Sequence, residues 1–376
     1  MDFNALLEMM VSKKGSDLFI TPGMPPCMKV AGRIAPVTKS KLSPEQAYQA
    51  VTSIMTERQK AQFEESFECN FAISAAGLGR FRVSAFYQRS QASMVLRRIE
   101  TEIPTVEELG LPPIIQELAM TKRGLCIFVG GTGTGKSTSL ASMIGYRNAN
   151  STGHIITIED PIEYMHAHQG CIVSQREVGM DTASFEVALQ NTLRQAPDVI
   201  LIGEIRTRET MEQAIAFAET GHFCLATLHA NNANQAMDRI VNFFPSEMHE
   251  QLFTDLSLNL KGVLAQQLIP MPDGAGRVAA IEVLLGSPLV SDKIAKGEVH
   301  ELKEIMKRSG EIGMQTFDQH LYSLYQQGRI TYEDALRHAD SANEVRLMAK
   351  LQDTGASEKM DQAAQNMSLL SEDERR

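Results

Sequence analysis

Residues 124–142 read GLCIFVGGTGTGKSTSLAS, and this stretch decides the fold of the larger part of the chain. An apolar strand, LCIFV, leads into GGTGTGKS at Gly130–Ser137, and the segment KSTSLASMIGYR that follows is typical of a helix. The eight residues match the pattern GxxxxGK[ST] in the strand–loop–helix context that a phosphate-binding loop (P-loop) requires. In such a loop the glycines allow backbone N–H groups to turn inward around phosphate oxygens, and the helix N-terminus adds its dipole.

The P-loop predicts which residues bind a nucleoside triphosphate and its metal. Lys136 would bridge the β- and γ-phosphates, and Ser137 would ligate Mg²⁺, so ATP and Mg²⁺ are the predicted cofactors. The alternative is a glycine-rich turn that only resembles a P-loop, and the strand and helix on either side disfavour it. The predicted nucleotide-binding residues are Gly130, Gly131, Thr132, Gly133, Thr134, Gly135, Lys136, Ser137 and Thr138.

Two further apolar strands end in carboxylates, which P-loop chemistry needs for Mg²⁺ and for the attacking water. DVILIGEIR carries Glu204 at the carboxyl end of its strand, where ligands bind on α/β sheets. IITIEDPIEY ends in Glu159, Asp160 and Glu163. Any one of these acids, taken alone, could instead cap a helix or lie in a solvated turn. The spacing does not decide which of them handles the water.

Strand and helix patterns divide the chain into two predicted domains. Residues 1–100 contain helices and a strand meander, which indicates a small α+β unit. Residues 101–113, TEIPTVEELGLPP, hold three prolines and predict a linker. Across residues 114–353, near-continuous apolar strands alternate with helices and C-terminal helices follow, which favours an α/β domain with a covered parallel sheet. Residues 354–376 are polar and acidic, and we expect a disordered tail.

Amino-acid composition limits which partners and which cellular compartment are expected for the protein. The net charge of −10 disfavours nucleic acid as a partner, because phosphate binding needs patches of Lys and Arg. Apolar runs such as LCIFV and VILI are far shorter than the roughly 20 residues of a membrane span, so no transmembrane segment is expected. The start MDFNALLEMM has no basic segment typical of a secretory signal, and the five scattered cysteines suit reduced thiols in a cytoplasm.

Four segments together resemble one group of ATPases. The chain is similar to the secretion ATPase superfamily in its Walker A segment GGTGTGKSTSL, Asp box IEDPIEY, Walker B segment LRQAPDVILIGEIR and His box AETGHFCLATLH. Within that superfamily the resemblance is to the type IV pilus retraction ATPases of the PilT/PilU family, over roughly residues 1–345. The four boxes in this order are highly specific. The resemblance implies a RecA-like P-loop NTPase domain joined to an N-terminal PAS-like domain, assembled as a hexameric ring.

The resemblance also implies roles for individual residues. Glu163 would polarise the attacking water, and Glu204 would support Mg²⁺ and the water network. His222 and His229 would couple occupancy of the γ-phosphate position to movement of the sheet and of the subunits. Arginines suit the spread charge of a γ-phosphate in transfer, although a pair such as Arg97 and Arg98 could also be a solvated strand end. The arginines that match the family pattern are Arg82, Arg97, Arg194 and Arg206.

The residues alone leave several interpretations of the two histidines. His222 and His229 lie seven apart at the ends of the apolar run FCLATL, an odd offset that places them on opposite faces of a regular strand. This offset, with no nearby Cys or acid to complete a ligand set, disfavours a metal site. Phosphate sensing is the preferred interpretation. Hydrogen bonding at the strand ends and acid–base catalysis are the alternatives.

Departures from the family pattern bear on function. Phe19 follows Leu18 where family members commonly carry a histidine. The region PLVSDKIAKGEVHELKEI lacks the AIRNL-type motif of the PilT group, which moves the resemblance toward the PilU group. The tetracysteine zinc insertion of the assembly ATPases is also absent from the sequence, which argues against an assembly role.

Three functions follow from these patterns. The preferred one is a hexameric motor, cytoplasmic and peripheral to the inner membrane at the pilus base, that hydrolyses ATP to drive or assist pilus retraction and twitching motility. The second is a nucleotide-binding accessory subunit that depends on a separate PilT-type motor. A nucleic-acid translocase is least favoured, because of the acidic charge. The expected partners are further copies of this chain, a PilT-type retraction ATPase and an inner-membrane pilus platform protein.

Overall fold

The structure is a computed structural model, and it describes residues 3–272, 274 and 276–353. The chain forms two compact units. The first holds the described residues up to Glu102 together with Pro161–His166 and Glu177–Ala183. The second holds Ile103–Asp160, Ala167–Arg176 and the described residues from Ser184 onward. The predicted acidic tail, residues 354–376, lies outside the described residues.

The first unit is a six-stranded sheet with three helices packed on one face. The helices are α1 (Phe3–Ser12), α2 (Pro44–Thr52) and α3 (Glu57–Ser66). The strands are β1 (Asp17–Ile20), β2 (Cys27–Val30), β3 (Arg33–Pro36), β4 (Glu68–Ala75), β5 (Gly79–Gln88) and β6 (Gln91–Arg98). Their order in the sheet is β3-β2-β1-β6-β5-β4, and neighbouring strands pair antiparallel.

Alternation along β5 separates the two faces of this sheet. Phe81, Val83 and Ala85 are buried in the core that the three helices cover. Arg82 stands between them in sequence and therefore points to the opposite face. The register places Arg82 directly across from Arg97 of β6. Two of the sequence-predicted arginines thus share the face of the sheet that the helices leave uncovered.

Capping explains where α2 and α3 begin. The Ser43 hydroxyl accepts the backbone N–H of Gln46, and the Gln46 side chain accepts the N–H of Ser43, with Pro44 in the first turn. Thr56 and Gln59 form the same reciprocal capping box at α3. Each cap contributes roughly 0.5–2 kcal/mol to the free energy of unfolding. The sequence SPEQ at residues 43–46 is typical of such a helix start.

The second unit is built on seven strands and eleven helices within the described residues. The strands are β7 (Gly124–Val129), β8 (Gly153–Glu159), β9 (Cys171–Glu177), β10 (Val199–Ile202), β11 (Phe223–Leu228), β12 (Leu260–Pro270) and β13 (Arg277–Leu285). The helices are α4 (Ile114–Ala119), α5 (Lys136–Asn150), α6 (Phe185–Thr192), α7 (Arg208–Glu219), α8 (Ala233–Asn242), α9 (His249–Asn259), α10 (Pro288–Ala295), α11 (Leu302–Arg308), α12 (Phe317–Gln326), α13 (Tyr332–His338) and α14 (Ala342–Asp353).

This sheet has a parallel centre, as the sequence predicts. The strand order is β13-β12-β7-β11-β10-β8-β9; the successive pairs from β12 through β7, β11 and β10 to β8 are parallel, and β13 is antiparallel to β12. Every residue of β7, β10 and β11 is buried, so both faces of the sheet are covered at its centre. The carboxyl ends of these strands meet at one edge, and this edge carries the candidate site.

Three strands of this sheet are not predicted by the sequence patterns. β9 and the β12–β13 hairpin extend the four predicted strands at the two sides of the sheet. β12 begins directly where α9 ends and carries Gln266 and Gln267 within an apolar run, which weakens the strand signal. Its position matters, because β12 pairs with β7 next to the P-loop.

Residues 101–113, which the sequence predicts as a linker, are mostly packed into the second unit. From Ile103 onward they belong to the second unit, where Val106 and Leu111 are buried in the same core cluster as Phe128 of β7. Beyond residue 286 the chain forms the helices α10–α14, in the part where the sequence predicts C-terminal helices. Across the described part of the chain, no helix has the length and apolar character needed to cross a membrane.

Candidate active site

The P-loop connects β7 to α5 at the carboxyl edge of the parallel strands. All nine predicted nucleotide-binding residues, 130–138, lie on this loop or in the first turn of α5. Gly133 and Gly135 have φ values of 78° and 88°, in the left-handed region that glycine adopts freely. A Cβ atom at Gly135 would lie 2.7 Å from the side-chain nitrogen of Gln266. The loop is therefore a narrow backbone cradle that larger residues would fill.

Lys136 lies across this loop, partly buried. Its Nζ donates to the carbonyl oxygens of Gly130 at 2.8 Å and Gly131 at 2.7 Å. Burial lowers the pKa of Lys136, and the nearby charge of Glu204 acts in the opposite direction. The lysine that the motif predicts as a phosphate ligand thus shares the electrostatic field of the carboxylate that follows β10. Ser137, the predicted Mg²⁺ ligand, is exposed in the first turn of α5.

Glu204 and His229 form the second part of the site. They follow β10 and β11, which are parallel neighbours, so their side chains meet at the same edge. His229 Nε2 lies 3.2 Å from Glu204 Oε1, while Nε and Nη2 of Arg206 each lie 2.8 Å from Glu204 Oε2. These bonds to Glu204 raise the pKa of Arg206. Arg206 Nη1 also lies 4.0 Å from Asp160, so one guanidinium links the carboxylates that follow β10 and β8.

Backbone contacts hold Glu204 from both sides. The N–H of Gly203 donates to the carbonyl of Ile158 at 2.7 Å, and the N–H of Ile205 donates to the carbonyl of Thr227 at 2.8 Å. The Thr227 hydroxyl donates to the carbonyl of Gly203. A Cβ at Gly203 would lie 3.0 Å from the Cα of Glu159, so only glycine allows this close approach. No local sequence pattern marks Thr227, because its hydroxyl acts only across two neighbouring strands.

The carboxylates after β8 have separate surroundings. Glu159 ends β8 in the second unit, and its Oε1 accepts the side-chain amide of Gln175 at 3.3 Å. Glu163 belongs to the first unit, in the segment Pro161–His166. Within that unit the neighbouring N–H of Ile162 donates to the buried carboxylate of Glu177 at 3.4 Å. The residue that the resemblance assigns to water activation is therefore not part of the unit that holds the P-loop.

Arg82 and Arg97 line a cavity on the uncovered face of the first unit. Its volume is about 250 Å³, and it is lined by Asp17, Asn70, Arg82, Ser84, Val95 and Arg97. Arg97 Nε donates to Asp17 Oδ1 at 2.9 Å, and the Asp17 side chain is only 6% exposed. Asp17 therefore pairs with Arg97, while Arg82, which lines the same cavity, acts on the buried Glu177 and opposes the rise of that carboxyl's pKa.

The structure does not bring His222 and Arg194 to the P-loop edge. His222 precedes β11, and its carbonyl accepts the N–H of Gly124 at the start of β7. The six residues of β11 separate it from His229 by roughly 20 Å. Its Nδ1 lies 3.0 Å from the hydroxyl of Thr220, which matches the predicted alternative of hydrogen bonding at a strand end. His222 therefore lies at the end of β11 opposite to the P-loop edge, and its role in coupling the γ-phosphate to movement stays a prediction.

Arg194 also lies on the amino side of the sheet. It is exposed in the short 3₁₀ turn after α6, which leads into the start of β10. The carbonyl of the next residue, Gln195, lies 2.9 Å from Nδ1 of His154 at the start of β8. Of the four arginines taken from the family pattern, only Arg206 lies at the P-loop edge of the second unit. Within the described residues, no group of three or more His, Cys, Asp or Glu side chains is arranged to hold a metal ion.

Comparison with known proteins identifies the family that carries this geometry. Residues 2–353 match the Type II/IV secretion system protein family. The chain is 69% identical to the type IV pilus ATPase PilU of Pseudomonas aeruginosa, over 98% of this chain and 97% of that one. It is 39% identical to the PilT ATPase of the same organism, over 90% of this chain and 98% of that one.

The chain belongs to the Type II/IV secretion system protein family. A solved structure agrees: the crystal structure of the pilus retraction motor PilT with bound ADP superposes with a TM-score of 0.86 at 40% identity. It covers 92% of this chain and 99% of that one. Within the family the chain is an ATPase of the PilT/PilU group, which confirms the predicted resemblance and the α/β P-loop fold.

One further residue of this secretion ATPase supports the P-loop from behind. Gln266 of β12 is 2% exposed, and its Oε1 accepts the hydroxyl of Ser139 on α5 at 2.8 Å. Its backbone oxygen would lie 2.7 Å from a Cβ at Gly130. Gln266 therefore closes the underside of the loop through both its main chain and its side chain. A glutamine inside the apolar run LAQQLI is the only signal that the sequence offers for it.

Proposed function

We propose that this chain is a motor ATPase of a type IV pilus and that ATP hydrolysis at the P-loop edge drives or assists pilus retraction. The observation that carries the proposal is the placement of Glu204, held by His229 and Arg206 at the sheet edge that also carries Lys136. Phosphoryl transfer to water depends on positioned charge more than on covalent chemistry. Glu204 has Arg206 and His229 as partners and lies beside Lys136 of the P-loop. Together these groups supply that charge.

The residues present fit a nucleotide with Mg²⁺. The glycine cradle leaves room that a Cβ would fill, and its backbone N–H groups suit phosphate oxygens. The Ser137 hydroxyl and the Glu204 carboxylate are hard oxygen ligands of the kind that Mg²⁺ prefers, directly or through water. When bound, Mg²⁺ would supply charge stabilisation to the β- and γ-phosphates. Lys136 would then exchange its bonds to Gly130 and Gly131 for phosphate oxygens.

Around this centre the other predicted residues have distinct tasks in the proposal. Glu204 orients water, and His229 senses the γ-phosphate position through its contact with Glu204. Arg206 limits the movement of Glu204 through its two bonds to Oε2. Glu163 polarises the attacking water, and Arg82 and Arg97 of the first unit supply positive charge for the triphosphate.

The assembly and its location extend the same proposal. The chain forms a homo-hexameric ring, cytoplasmic and peripheral to the inner membrane at the pilus base. Its partners are a PilT-type retraction ATPase and an inner-membrane platform protein. The PilU and PilT relatives of Pseudomonas aeruginosa, both named as type IV pilus ATPases, support this choice of machinery.

A second candidate is an accessory ATPase that assists retraction only together with a PilT-type motor. The region PLVSDKIAKGEVHELKEI favours it, because the AIRNL-type motif expected of the PilT group is missing there. This region forms α10 and α11, on the second unit. The accessory function keeps the P-loop chemistry and changes only what the motor needs as a partner.

Steady-state ATP hydrolysis by the purified protein tests the proposal, with Lys136→Ala as the blank. Loss of the lysine removes the main cationic partner of the phosphates, so we expect this variant to lose turnover. Turnover of the wild type alone supports an independent motor. Turnover that rises only when a PilT-type ATPase is added supports the accessory function. Equal turnover in the wild type and in Lys136→Ala would refute the P-loop assignment.

A further inference from the structure

A buried carboxylate lies behind the loop that carries His229 and takes no part in phosphate chemistry. Glu282 of β13 is 1% exposed. Its Oε1 accepts the N–H of Ala233, the first residue of α8, at 2.7 Å, and its Oε2 accepts the N–H of Phe317, the first residue of α12, at 3.4 Å. One carboxylate thus joins the N-termini of two helices, where negative charge is stabilised by the helix dipoles.

We propose that Glu282 is a positioning residue for His229. The loop between β11 and α8 is short, and only residues 229–232 separate the end of β11 from the bond between Ala233 and Glu282. β11 fixes one end of this loop in the centre of the sheet. Glu282 fixes the other end, so it sets where His229 stands relative to Glu204.

A second bond holds the same end of the loop. Asn232 caps α8 by accepting the N–H of Gln235 at 2.9 Å, and its side-chain amide donates to Asp340 at 3.0 Å. Lys303 of α11 also donates to Asp340 at 3.0 Å, which neutralises that carboxylate. The loop is therefore tied to β13 by Glu282 and to the segment between α13 and α14 by Asp340.

Burying the Glu282 carboxylate costs free energy, and this cost supports a positioning role for the residue. Burial raises its pKa to about 7, Asp340 adds to the rise, and the two backbone N–H bonds and Lys303 oppose it. Glu177 is also a buried carboxylate, 2% exposed, and it accepts the backbone N–H of Ile162 at 3.4 Å within the first unit. Glu177 is therefore a matched control, since it is an equally buried glutamate that holds a different segment of the chain.

The test measures His229 directly, so it does not depend on turnover. The probe is diethyl pyrocarbonate, and the readout is its modification rate at His229, measured by peptide mass spectrometry of the full chain. His300 is 78% exposed at its side chain and serves as the internal standard. We expect Glu282→Gln to raise the rate at His229 at least threefold, because the imidazole leaves Glu204 once the loop moves. Glu177→Gln should leave that rate within about twofold of wild type.

A kinetic double-mutant cycle tests the role of Glu282 in the active enzyme. This second test rests on the proposed ATP hydrolysis. Glu282→Gln should lower kcat by about three- to tenfold with little change in KM for ATP, because the P-loop is unchanged. In the His229→Ala background it should cause no further loss. If Glu282→Gln folds poorly, Asn232→Ser keeps a helix cap, removes the amide bond to Asp340, and should raise the modification rate in the same direction.

Two results would overturn the inference. One is an unchanged modification rate at His229 in both Glu282→Gln and Asn232→Ser. The other is an equal rise in Glu282→Gln and Glu177→Gln, since that would mean that the loss of any buried carboxylate loosens the protein. A wild type that shows no ATP turnover, either alone or with a PilT-type ATPase, would contradict the proposed function, whereas the modification rates would still decide the role of Glu282.

Discussion

His229 Nε2 lies 3.2 Å from one oxygen of Glu204, and the other oxygen of that carboxylate receives two bonds from Arg206. The carboxylate therefore lies between an imidazole, which can be neutral or charged, and a guanidinium, which keeps its charge. His229 directly follows β11 in the chain, whereas Glu204 and Arg206 lie in the segment that follows β10. A shift of the β11–α8 loop would therefore change the surroundings of Glu204 without moving the P-loop.

Replacing His229 tests whether this contact serves hydrolysis more than binding. We expect His229→Ala to bind ATP with near wild-type affinity and to lose roughly ten- to a hundredfold in kcat, the value of one bond to a charged group. Nucleotide binding and turnover measured on the same sample separate the two effects. His300→Ala is the matched control, since this exposed imidazole lies outside the site. A large loss of affinity with unchanged kcat would contradict the expectation.

Gln266 provides a test of support for the P-loop from β12. Gln266→Leu keeps the approximate volume but removes the acceptor of the Ser139 hydroxyl. We expect the affinity for ATP to fall about fivefold, the value of one buried hydrogen bond, with a smaller change in kcat. Gln267→Leu is the matched control, because successive β12 side chains point to opposite faces and Gln267 contacts His338 instead. Equal effects of the two substitutions would contradict the assignment.

His320 on α12 gives the second unit a pH-dependent stability. Its Nδ1 accepts the N–H of Ile281 at 2.8 Å, and burial lowers its pKa from 6.5 to about 4. The unfolded chain therefore binds the proton first, so the stabilisation is present above pH 6.5 and is lost as the pH falls toward 4. His320→Gln keeps an acceptor and does not titrate. Between pH 7 and pH 5 the wild type should lose about 2 kcal/mol more than this variant.

Denaturant unfolding at pH 7, 6 and 5 measures that difference. The comparison of wild type with His320→Gln isolates one group, because all other titrating groups are common to both proteins. Parallel pH curves for the two proteins would mean that His320 does not carry the pH dependence.

Much of the fold follows from local patterns. The strand–loop–helix at residues 124–142 predicts a P-loop and a parallel sheet, and the capping residues at Ser43 and Gln46 predict a helix start. These signals are strong because each depends on neighbours in the sequence. β12 escapes prediction because its polar Gln266 faces a partner 127 residues away, which no local pattern encodes.

The sequence predicts some residues of the candidate site and misses others. Glu204, His229 and Arg206 come together because they follow neighbouring parallel strands, which the apolar runs before them indicate. His222 was grouped with His229 from the family pattern, yet the six-residue strand between them places it at the opposite sheet edge. Thr227 and Glu282 act through bonds between distant segments, so spacing along the chain gives no sign of either.

Glu204→Gln tests the central claim most directly, with ATP binding and ATP hydrolysis measured on the same preparation. The amide keeps the shape of the carboxylate but removes the charge that faces His229 and Arg206. We expect ATP binding to change by less than about tenfold and hydrolysis to fall by about a hundredfold or more. Glu304→Gln is the control, because this carboxylate is 60% exposed on α11. Hydrolysis that continues at close to the wild-type rate in Glu204→Gln would contradict the account and would leave Glu163 as the carboxylate that handles the water.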